Sequence, residues 1–259
     1  SLGGLTYGVT NMELTSAYAS IANGGTYQKP VLYTKVVDHN GNILLSNTQK
    51  GKRVMKESTA FLLTDAMKDV ITKGTGKSAK LSSSMAVAGK SGTTSNSYDY
   101  WFSGYTPYHT ASVWMGYDKN TNFASDNTHK KIWAKVMNEI IKTKQEQTTD
   151  FRKPADIVKA KVCKESGKLA IKGVCDHDPR GNRVITEYFE KGTVPTQTCD
   201  IHVAVEVCKT SDKLATKNCP ANKKQRKIYI VRKKGSHGKT ADTPYLLPKK
   251  YQSVLCKKH

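Results

Sequence analysis

One short run of residues, Lys90-Ser91-Gly92-Thr93-Thr94, has side chains that suit the binding of a peptide carboxylate. The lysine supplies a fixed positive charge, and the hydroxyls of Ser91 and Thr93 supply hydrogen-bond donors. Glycine in a strand lets another backbone approach closely, so an extended peptide could add to this strand. The Thr93 N–H could then stabilise an oxyanion, and one such donor is typically worth roughly 3 kcal/mol of barrier.

Three predicted strands position this run. Residues 85–88 predict a short buried strand that continues through the run, residues 100–105 predict a second strand, and residues 110–117 predict a third. Turn residues separate the strands at 95–97 and at 106–107. Because strands joined by tight turns form an antiparallel meander, the sequence places the run on the first strand of such a sheet.

Three segments with apolar residues at helical spacing predict helices around this sheet. The first ends near Ala22 and begins with a capping box formed by Thr10 and Glu13. The second covers residues 58–72 and the third covers residues 130–144. We interpret all three as core helices that support the sheet.

The run and its flanks resemble a known family. Lys90-Ser91-Gly92-Thr93 resembles the Lys-Thr-Gly box of penicillin-binding proteins and serine β-lactamases. The segments 2–10, 88–94, 101–107 and 113–118 resemble the transpeptidase domain of class A penicillin-binding proteins, and the resemblance covers about residues 1–145. It implies an α+β fold that is part of a penicillin-binding transpeptidase (serine β-lactamase-like) fold. In that fold an antiparallel sheet is flanked by helices, and here a small β-rich, cysteine-containing domain would follow.

The resemblance also implies a role for each residue of the run. Lys90 would act electrostatically and contact the serine of a Ser-x-Asn box, and the Thr93 N–H would complete the oxyanion hole. The substrate would be bound by Ser91, Gly92, Thr93 and Thr94, with the hydroxyls of Ser91 and Thr93 on its carboxylate. Ser91 stands where the family usually has threonine, which keeps the hydroxyl and loses a methyl group. The Gly74-Thr75-Gly76 segment resembles a family loop that lines the cleft.

The nucleophile of the family is the serine of a Ser-x-x-Lys box that precedes the Lys-Thr-Gly box. Here the literal match is Ser236-His237-Gly238-Lys239, and a literal Ser125-Asp126-Asn127 also follows the run. We interpret both as chance matches to short patterns. We therefore expect the chain to begin downstream of its nucleophile, to be inactive alone, and to need the upstream part of the same protein as its partner.

A whole protein of this family would cross-link peptidoglycan. The resemblance implies a serine-type D-Ala-D-Ala transpeptidase/carboxypeptidase that needs no cofactor, binds peptidoglycan stem peptides and is acylated by β-lactam antibiotics. It also implies a glycosyltransferase domain and a membrane anchor outside this chain, at the extracellular face of the bacterial cell membrane. Two alternatives stay open: a serine β-lactamase-like hydrolase, and a non-catalytic cell-wall-binding module in the basic C-terminal part.

The cysteine distribution predicts a second domain. The first 160 residues contain no cysteine, and all six cysteines follow them. We expect a transpeptidase portion at residues 1–148, a linker at 149–156 and a small basic β-rich domain at 157–259. Residues 162–175 and 207–219 are two copies of an internal repeat, each with a cysteine near either end.

The repeat predicts disulfide bonds, since an even number of cysteines in a small domain is typical of an oxidising, external location. The expected pairs are Cys163 with Cys175, Cys208 with Cys219, and Cys199 with Cys256. Zinc stays open as the alternative, because Cys175-Asp176-His177 and Cys199-Asp200-Ile201-His202 place ligand types close together. We expect no metal, since the sequence has no Cys-x-x-Cys motif.

The net charge of +21 indicates an anionic partner. Nucleic acid is the usual first interpretation of such a charge, but the sequence shows no nucleic-acid-binding motif. With the family resemblance, we expect an anionic cell-wall polymer or lipid surface instead. The very basic tail from Lys223 onward predicts an exposed segment that touches such a polymer.

Overall fold

The computed structural model describes residues 6–231 and 240–258. The chain divides into two compact units, Ser1–Asp156 and Ile157–His259. The first unit contains the long helices, whereas the second is built mainly from short strands. Across the described ranges, no helix combines the length and the apolar composition that crossing a membrane requires.

The long helices of the first unit begin and end close to their predicted positions. They are α1 (Asn11–Ala22), α2 (Glu57–Thr72) and α3 (Thr128–Lys144). The predicted capping box is present at the start of α1. The Thr10 hydroxyl accepts a hydrogen bond from the Glu13 N–H at 3.2 Å, and the Glu13 carboxylate accepts one from the Thr10 N–H at 2.8 Å. This pair satisfies two backbone donors that the first helical turn cannot satisfy itself.

Within residues 6–156, seven strands form three antiparallel sheets. In chain order they are β1 (Thr26–Tyr27), β2 (Lys35–Val37), β3 (Ile43–Ser46), β4 (Lys52–Arg53), β5 (Ala88–Thr93), β6 (Asp99–Tyr105) and β7 (Thr110–Gly116). Two sheets are ribbons, β1 with β4 and β2 with β3, and the third is a meander in the order β5-β6-β7. The meander and the helices around it confirm the predicted α+β class.

The core of the first unit lies between the meander and the helices. Trp133 and Met137 of α3 are fully buried and belong to one cluster with Phe102 of β6 and Ile71 of α2. The rings of Trp133 and Phe102 meet edge to face, with centroids 5.2 Å apart. The Trp133 Nε1–H donates a hydrogen bond to Ala111 O at 3.0 Å, so the one polar atom of this side chain is satisfied inside the core.

The segment that follows α3 folds back onto the first unit. The Phe151 ring packs edge to face on Tyr105 of β6, with centroids 5.4 Å apart. The Asp150 carboxylate accepts hydrogen bonds from Lys68 Nζ of α2 at 2.7 and 2.8 Å. These contacts hold the beginning of the predicted linker against α2 and the meander.

We expect Asp150→Asn to remove a pH-dependent part of the stability of the first unit. Partial burial opposes ionisation of Asp150, but hydrogen bonds, led by the one from Lys68, outweigh it and hold the pKa of this carboxyl below its usual 3.8. A lowered folded-state pKa stabilises the fold above a pH of about 4, and this stabilisation is lost as the pH falls through the folded-state value. Because the Lys68 and Asp150 side chains are 31% and 66% exposed, the loss at pH 7 stays below about 1 kcal/mol.

Urea unfolding at pH 7 and at pH 3 measures this effect, with Asp118→Asn in an exposed loop as the matched control. Asp150→Asn should lower the unfolding midpoint at pH 7 and match the wild type more closely at pH 3. Asp118→Asn should leave the pH 7 midpoint unchanged. An equal loss for Asp150→Asn at both pH values would mean that its charge is not the cause.

The described part of the second unit contains five strands and one short α-helix. In chain order they are β8 (Ile157–Cys163), β9 (Val184–Glu190), β10 (His202–Cys208), β11 (Lys213–Leu214), β12 (Lys224–Ile230) and α4 (Lys250–Ser253). β8 pairs with β9, and β10 lies between β11 and β12. The two strands that open the repeat copies, β8 and β10, end at Cys163 and Cys208, so the two copies share one plan.

The prediction of an exposed tail from Lys223 onward is wrong for its first part. Residues Lys224–Ile230 form β12, which pairs with β10 along its whole length. Gln225 and Arg226 are exposed while Ile230 is buried, so a basic segment can still pair as a strand. The cationic run Arg232-Lys233-Lys234 lies outside the described residues.

All six cysteines are free thiols in the structure and form two groups of three. Cys163, Cys175 and Cys199 form one group; Cys208, Cys219 and Cys256 form the other. The predicted pair of Cys199 with Cys256 is therefore wrong. The physical reason is backbone pairing, because a bridge between Leu169 and Thr198 holds Cys199 beside the first repeat copy, and one between Leu214 and Leu255 holds Cys256 beside the second. The cysteines of the two other predicted pairs lie together, without a disulfide between them.

Candidate functional site

The run at Lys90 lies on β5, at the edge of the meander. β5 pairs with β6 on one side, and no other strand of the described residues pairs with it. Because an edge strand presents unpaired backbone groups, the side of β5 opposite β6 can accept an additional strand. We call this side the open edge.

The register shows which backbone groups face the open edge. The Thr94 N–H donates to Asp99 O at 3.1 Å, so Thr94 and Asp99 form a hydrogen-bonded pair. Hydrogen-bonded and non-hydrogen-bonded pairs alternate along antiparallel strands. The next pair, at Thr93, is therefore non-hydrogen-bonded, as is the pair at Ser91. The N–H and C=O groups of Ser91 and Thr93 point away from β6, toward the open edge.

Lys90 is exposed, and its ammonium group lies at the open edge. Its Nζ donates a hydrogen bond to the Ser91 carbonyl oxygen at 2.7 Å. This carbonyl is one of the backbone groups that point toward the open edge. The lysine charge is therefore held beside the groups that an added strand would pair with.

Two glycines of β5 have different surroundings. A Cβ at Gly89 would lie 2.8 Å from Phe102 Cζ and from Ser103 O, so packing against β6 requires glycine there. A Cβ at Gly92 would approach only Trp101 Cβ, at 3.4 Å, among the described residues. Packing inside this chain therefore explains Gly89 but not Gly92.

A hydrogen-bond network links β5 to the loop after α2 and to α3. Ser91 Oγ lies 3.0 Å from Thr75 Oγ1. Lys130 Nζ donates to Thr75 O at 2.9 Å and to Asn127 Oδ1 at 2.7 Å. Lys130 is buried, and this burial, followed by the positive charge of Lys90, lowers the pKa of its ammonium. Two lysines thus place positive charge near the Ser91 hydroxyl.

Thr94 lies one residue past the end of β5 and forms part of the turn to β6. Its hydroxyl accepts a hydrogen bond from the Asp99 N–H at 2.9 Å and donates to Asp99 Oδ2 at 3.1 Å. The other carboxylate oxygen, Oδ1, accepts from Trp114 Nε1 at 2.8 Å. The structure therefore uses the Thr94 hydroxyl in the turn, whereas the sequence groups Thr94 with the substrate-binding residues.

The sequence interpretation missed Lys130, which it treated as the first residue of a core helix. A buried lysine generally requires partners, and here the partners are Thr75 and Asn127. Because 55 positions separate Thr75 from Lys130, residue spacing gives no sign of this contact. The Gly74-Thr75-Gly76 segment does carry a signal, since its family resemblance places it at the cleft.

The literal Ser125-Asp126-Asn127 motif lies in the loop before α3. The Ser125 hydroxyl lies 3.2 Å from Nδ1 of the buried His129, and the Asn127 side chain binds Lys130. These contacts fix the start of α3. The literal Ser236-His237-Gly238-Lys239 motif lies outside the described residues.

Two family models match this chain. Residues 2–142 match the penicillin binding protein transpeptidase domain, and residues 153–204 match the penicillin-binding protein 1A C-terminal domain. The chain therefore belongs to the penicillin-binding protein transpeptidase family, which confirms the resemblance seen in the sequence. The first match includes the whole meander with β5, and the second includes the first group of cysteines.

Individual relatives cover nearly all of this chain. Penicillin-binding protein 1A of Clostridium botulinum is 36% identical over 254 residues, which are 96% of this chain and 30% of that protein. Penicillin-binding protein 1A of Clostridium novyi is 32% identical over 252 residues, which are 96% of this chain and 29% of that protein. The chain thus spans about 30% of the length of these curated relatives.

A solved structure shares the fold. The crystal structure of penicillin-binding protein 1A from Haemophilus influenzae superposes with a TM-score of 0.58 at 23% sequence identity. The superposition covers 74% of this chain and 33% of that chain. At this identity the likeness shows the shared fold.

Proposed function

We propose that β5 forms one wall of the acyl-transfer site of a D,D-transpeptidase that cross-links peptidoglycan. In this reaction a serine hydroxyl attacks the carbonyl of a stem peptide ending in D-Ala-D-Ala, and D-Ala leaves. An amine of a second stem peptide then attacks the serine ester. The observation that carries the proposal is the open edge of β5, where the backbone groups of Ser91 and Thr93 meet the ammonium of Lys90.

The open edge suits an extended peptide. A stem peptide that adds to β5 exchanges hydrogen bonds with the outward N–H and C=O groups of Ser91 and Thr93. The peptide replaces Lys90 as the hydrogen-bond donor to the Ser91 carbonyl oxygen. The ammonium of Lys90 is then free to contact the serine of a Ser-x-Asn box. A side chain at Gly92 would project next to the bound peptide, which explains a glycine that internal packing does not require. The Thr93 N–H, directed outward, donates to the developing oxyanion.

The substrate carboxylate binds at the hydroxyls of Ser91 and Thr93. The Thr75 hydroxyl contacts the Ser91 hydroxyl, and Lys130 Nζ donates a hydrogen bond to the Thr75 carbonyl oxygen. These contacts fix the position of the Ser91 hydroxyl. The ammonium groups of Lys90 and Lys130 both favour an anion at this position, because neither lysine has a carboxylate partner in the hydrogen bonds described. Lys130 is a positioning residue in this scheme, since it acts on the substrate through Thr75 and Ser91.

The nucleophilic serine comes from outside these 259 residues. The sequence before Lys90 contains no Ser-x-x-Lys box, although the family places that box before the Lys-Thr-Gly strand. The whole protein would be acylated at that serine by β-lactam antibiotics and by its stem peptides. It would act at the extracellular face of the cell membrane, with its anchor and a glycosyltransferase domain in other parts of the chain. An anionic wall polymer or lipid surface would bind this positively charged chain.

A serine β-lactamase-like hydrolase uses the same kind of strand. The match of residues 153–204 to the penicillin-binding protein 1A C-terminal domain favours the transpeptidase over this alternative. Slow turnover of penicillin by the whole protein supports the transpeptidase, and rapid hydrolysis would favour the hydrolase.

Intact-mass analysis after exposure to penicillin tests the proposal. The chain alone should form no adduct. The whole protein should gain one penicillin, and the modified peptide should map to the upstream part. A stable adduct on this chain would overturn the assignment of the nucleophile, and absence of any adduct on the folded whole protein would overturn the proposed reaction.

Ser91→Ala should weaken the apparent affinity of the whole protein for penicillin by roughly tenfold or more, because a hydrogen bond to a charged group contributes about 1.5–3 kcal/mol. Ser91→Thr keeps the hydroxyl and is the matched control. It should retain the wild-type affinity within a few fold. The concentration dependence of acylation measures both variants, and an equal loss in the two would mean that size at this position, rather than the hydroxyl, decides binding.

A further inference from the structure

Four potential metal ligands converge in the second unit. Cys163, Cys175, Cys199 and His202 are all buried, and their ligand atoms lie within 4.8 Å of one another. We call these four residues the cysteine–histidine cluster. No part of the proposed transpeptidase reaction uses them.

Different elements bring these residues together. Cys163 ends β8, Cys175 begins a short 3-10 turn, and His202 begins β10. Cys199 is held in place by the hydrogen bond that its N–H donates to Leu169 O at 2.8 Å. The cluster therefore joins the ends of segments that lie far apart in the sequence, as structural metal sites do in small domains.

The distances within the cluster fit one tetrahedral ion. His202 Nδ1 lies 3.4 Å from Cys163 Sγ and 3.3 Å from Cys199 Sγ. Tetrahedral zinc with Zn–S of about 2.3 Å and Zn–N of about 2.0 Å separates sulfur from nitrogen by roughly 3.5 Å. These atoms therefore need to move little to share an ion.

The hydrogen bond between His202 and Asp178 leaves Nδ1 of His202 available to bind a metal ion. His202 Nε2 lies 2.5 Å from Asp178 Oδ2, and the Asp178 side chain is fully buried. Arg180 holds the same carboxylate, with its Nε at 3.0 Å from Oδ1 and a terminal nitrogen at 2.7 Å from Oδ2. With the Nε2 proton donated to Asp178, the lone pair of Nδ1 points at the sulfurs. A carboxylate behind a metal-binding histidine is a common arrangement at zinc sites.

The number of cysteines argues against disulfide bonds. Each group contains three, so one disulfide in either group would leave one buried thiol without a partner. A tetrahedral ion uses all three sulfurs of the first group together with His202. The Ile171 N–H also donates a hydrogen bond to Cys175 Sγ at 3.3 Å, which fixes the position of this sulfur in the cluster.

We propose that the cysteine–histidine cluster binds one Zn²⁺ ion in a structural site. Three cysteines and one histidine are a usual ligand set for structural zinc, and four protein ligands leave no position open for substrate. Zinc binding displaces one proton from each thiol that is still protonated, and no electrons are transferred. The ion links β8 to β10 in a small core whose buried members are the three cysteines, with only partly buried apolar residues packed around them.

A second group of cysteines lies at the other repeat copy. Cys208, Cys219 and Cys256 are buried, and their sulfurs lie within 4.8 Å of one another. The Thr216 N–H donates to Cys219 Sγ at 3.3 Å, as the Ile171 N–H does to Cys175 in the first group. Among the described residues this group offers three ligands, one fewer than a tetrahedral structural site uses, so the proposal is confined to the cysteine–histidine cluster.

Elemental analysis of the full chain, purified without added metal or chelator, tests the site. The wild type should contain zinc, and Cys163→Ser and His202→Ala should each lower the content by about one ion per chain. The matched control is His177→Ala, which removes an exposed histidine two residues from Cys175 and should keep the wild-type zinc content. A wild type that contains no zinc and gains none when zinc is added would overturn the proposal.

A conservative variant and a thiol count keep the result independent of misfolding. His202→Cys should retain the ion that His202→Ala loses, because it restores four ligands. Cobalt added to the metal-free wild type should give the intense absorption of tetrahedral cobalt bound to thiolates. Alkylation under denaturing conditions should modify all six cysteines without a reductant. Metal-free wild-type protein with disulfides, or zinc content unchanged by Cys163→Ser, would overturn the proposal.

Discussion

Lys90→Ala in the whole protein should slow acylation by a labelled penicillin about tenfold or more, the low end of what one positioned catalytic group supplies. The ammonium of Lys90 lies at the open edge, 2.7 Å from the Ser91 carbonyl oxygen. Lys130 cannot replace it, because Lys130 is a buried residue whose Nζ is already bound to Thr75 and Asn127. The substitution therefore removes the exposed ammonium group beside the edge where we propose that the peptide binds.

Two further variants separate position from net charge. Lys119→Ala removes another exposed lysine, from the loop after β7, and should leave acylation unchanged. Lys90→Arg keeps the charge but changes its shape, so it should recover only part of the rate. The thermal midpoint of Lys90→Ala should equal that of the wild type, because the side chain is exposed. Unchanged acylation in Lys90→Ala would refute the proposed role, and an equal loss in Lys119→Ala would reduce it to an effect of net charge.

The helices and the meander could be predicted because each is specified by local pattern. The Thr10–Glu13 capping box starts α1 where the sequence indicates, and the predicted second helix, 58–72, differs from α2 by one residue. Turn residues at 95–97 and 106–107 fix the hairpins of the meander. Local hydrogen bonding and apolar spacing are sufficient for elements of this kind.

Short apolar segments give less information about secondary structure. Residues 85–88 predict a buried strand, yet β5 begins at Ala88. Met85 and Val87 are buried all the same, at 5% and 7% exposure. A short apolar run indicates burial, whereas pairing in a sheet depends on a neighbouring strand that the run itself does not specify.

The second unit depends more strongly on contacts between segments that lie far apart in the sequence. Its strands β9 and β12 pair with the repeat strands but lie outside the repeat itself, and β12 is rich in lysine and arginine. The grouping of Cys199 and Cys256 depends on backbone bridges to Leu169 and Leu214. Cysteine spacing does not determine which cysteines meet, since many pairings are compatible with one sequence. The contact of Ser91 with Thr75 also depends on the tertiary fold, so residue spacing could not predict it.

Trp133→Ala should destabilise the first unit by about 3–5 kcal/mol, the usual cost of deleting a buried tryptophan. Trp133 is fully buried, and its removal leaves a cavity beside Phe102 that the surrounding helix and sheet can fill only in part. It also leaves Ala111 O without the hydrogen bond from Nε1. Denaturant unfolding, followed by near-ultraviolet circular dichroism, measures the loss.

Ile132→Ala is the matched control, since this neighbour on the same helix is 44% exposed and should cost less than about 1 kcal/mol. Trp133→Phe keeps the ring contact with Phe102 and loses the hydrogen bond, so its cost should fall between the two. A loss below 1 kcal/mol for Trp133→Ala would show that the cavity closes and that Trp133 does not support the sheet.

The effect of Trp133 should also reach the site, because Trp133 packs against β6, the strand that pairs with β5. A Cβ at Gly104 would lie 3.0 Å from Trp133 Cζ2, and Gly104 pairs with Gly89 of β5. Phe102, which packs on Trp133, pairs with Ser91. The indole thus supports from one face the strand whose open edge binds the peptide. In the whole protein, below its unfolding temperature, Trp133→Ala should therefore lower the affinity for penicillin more than Ile132→Ala does, while the acylation rate at saturating penicillin changes less than in Lys90→Ala.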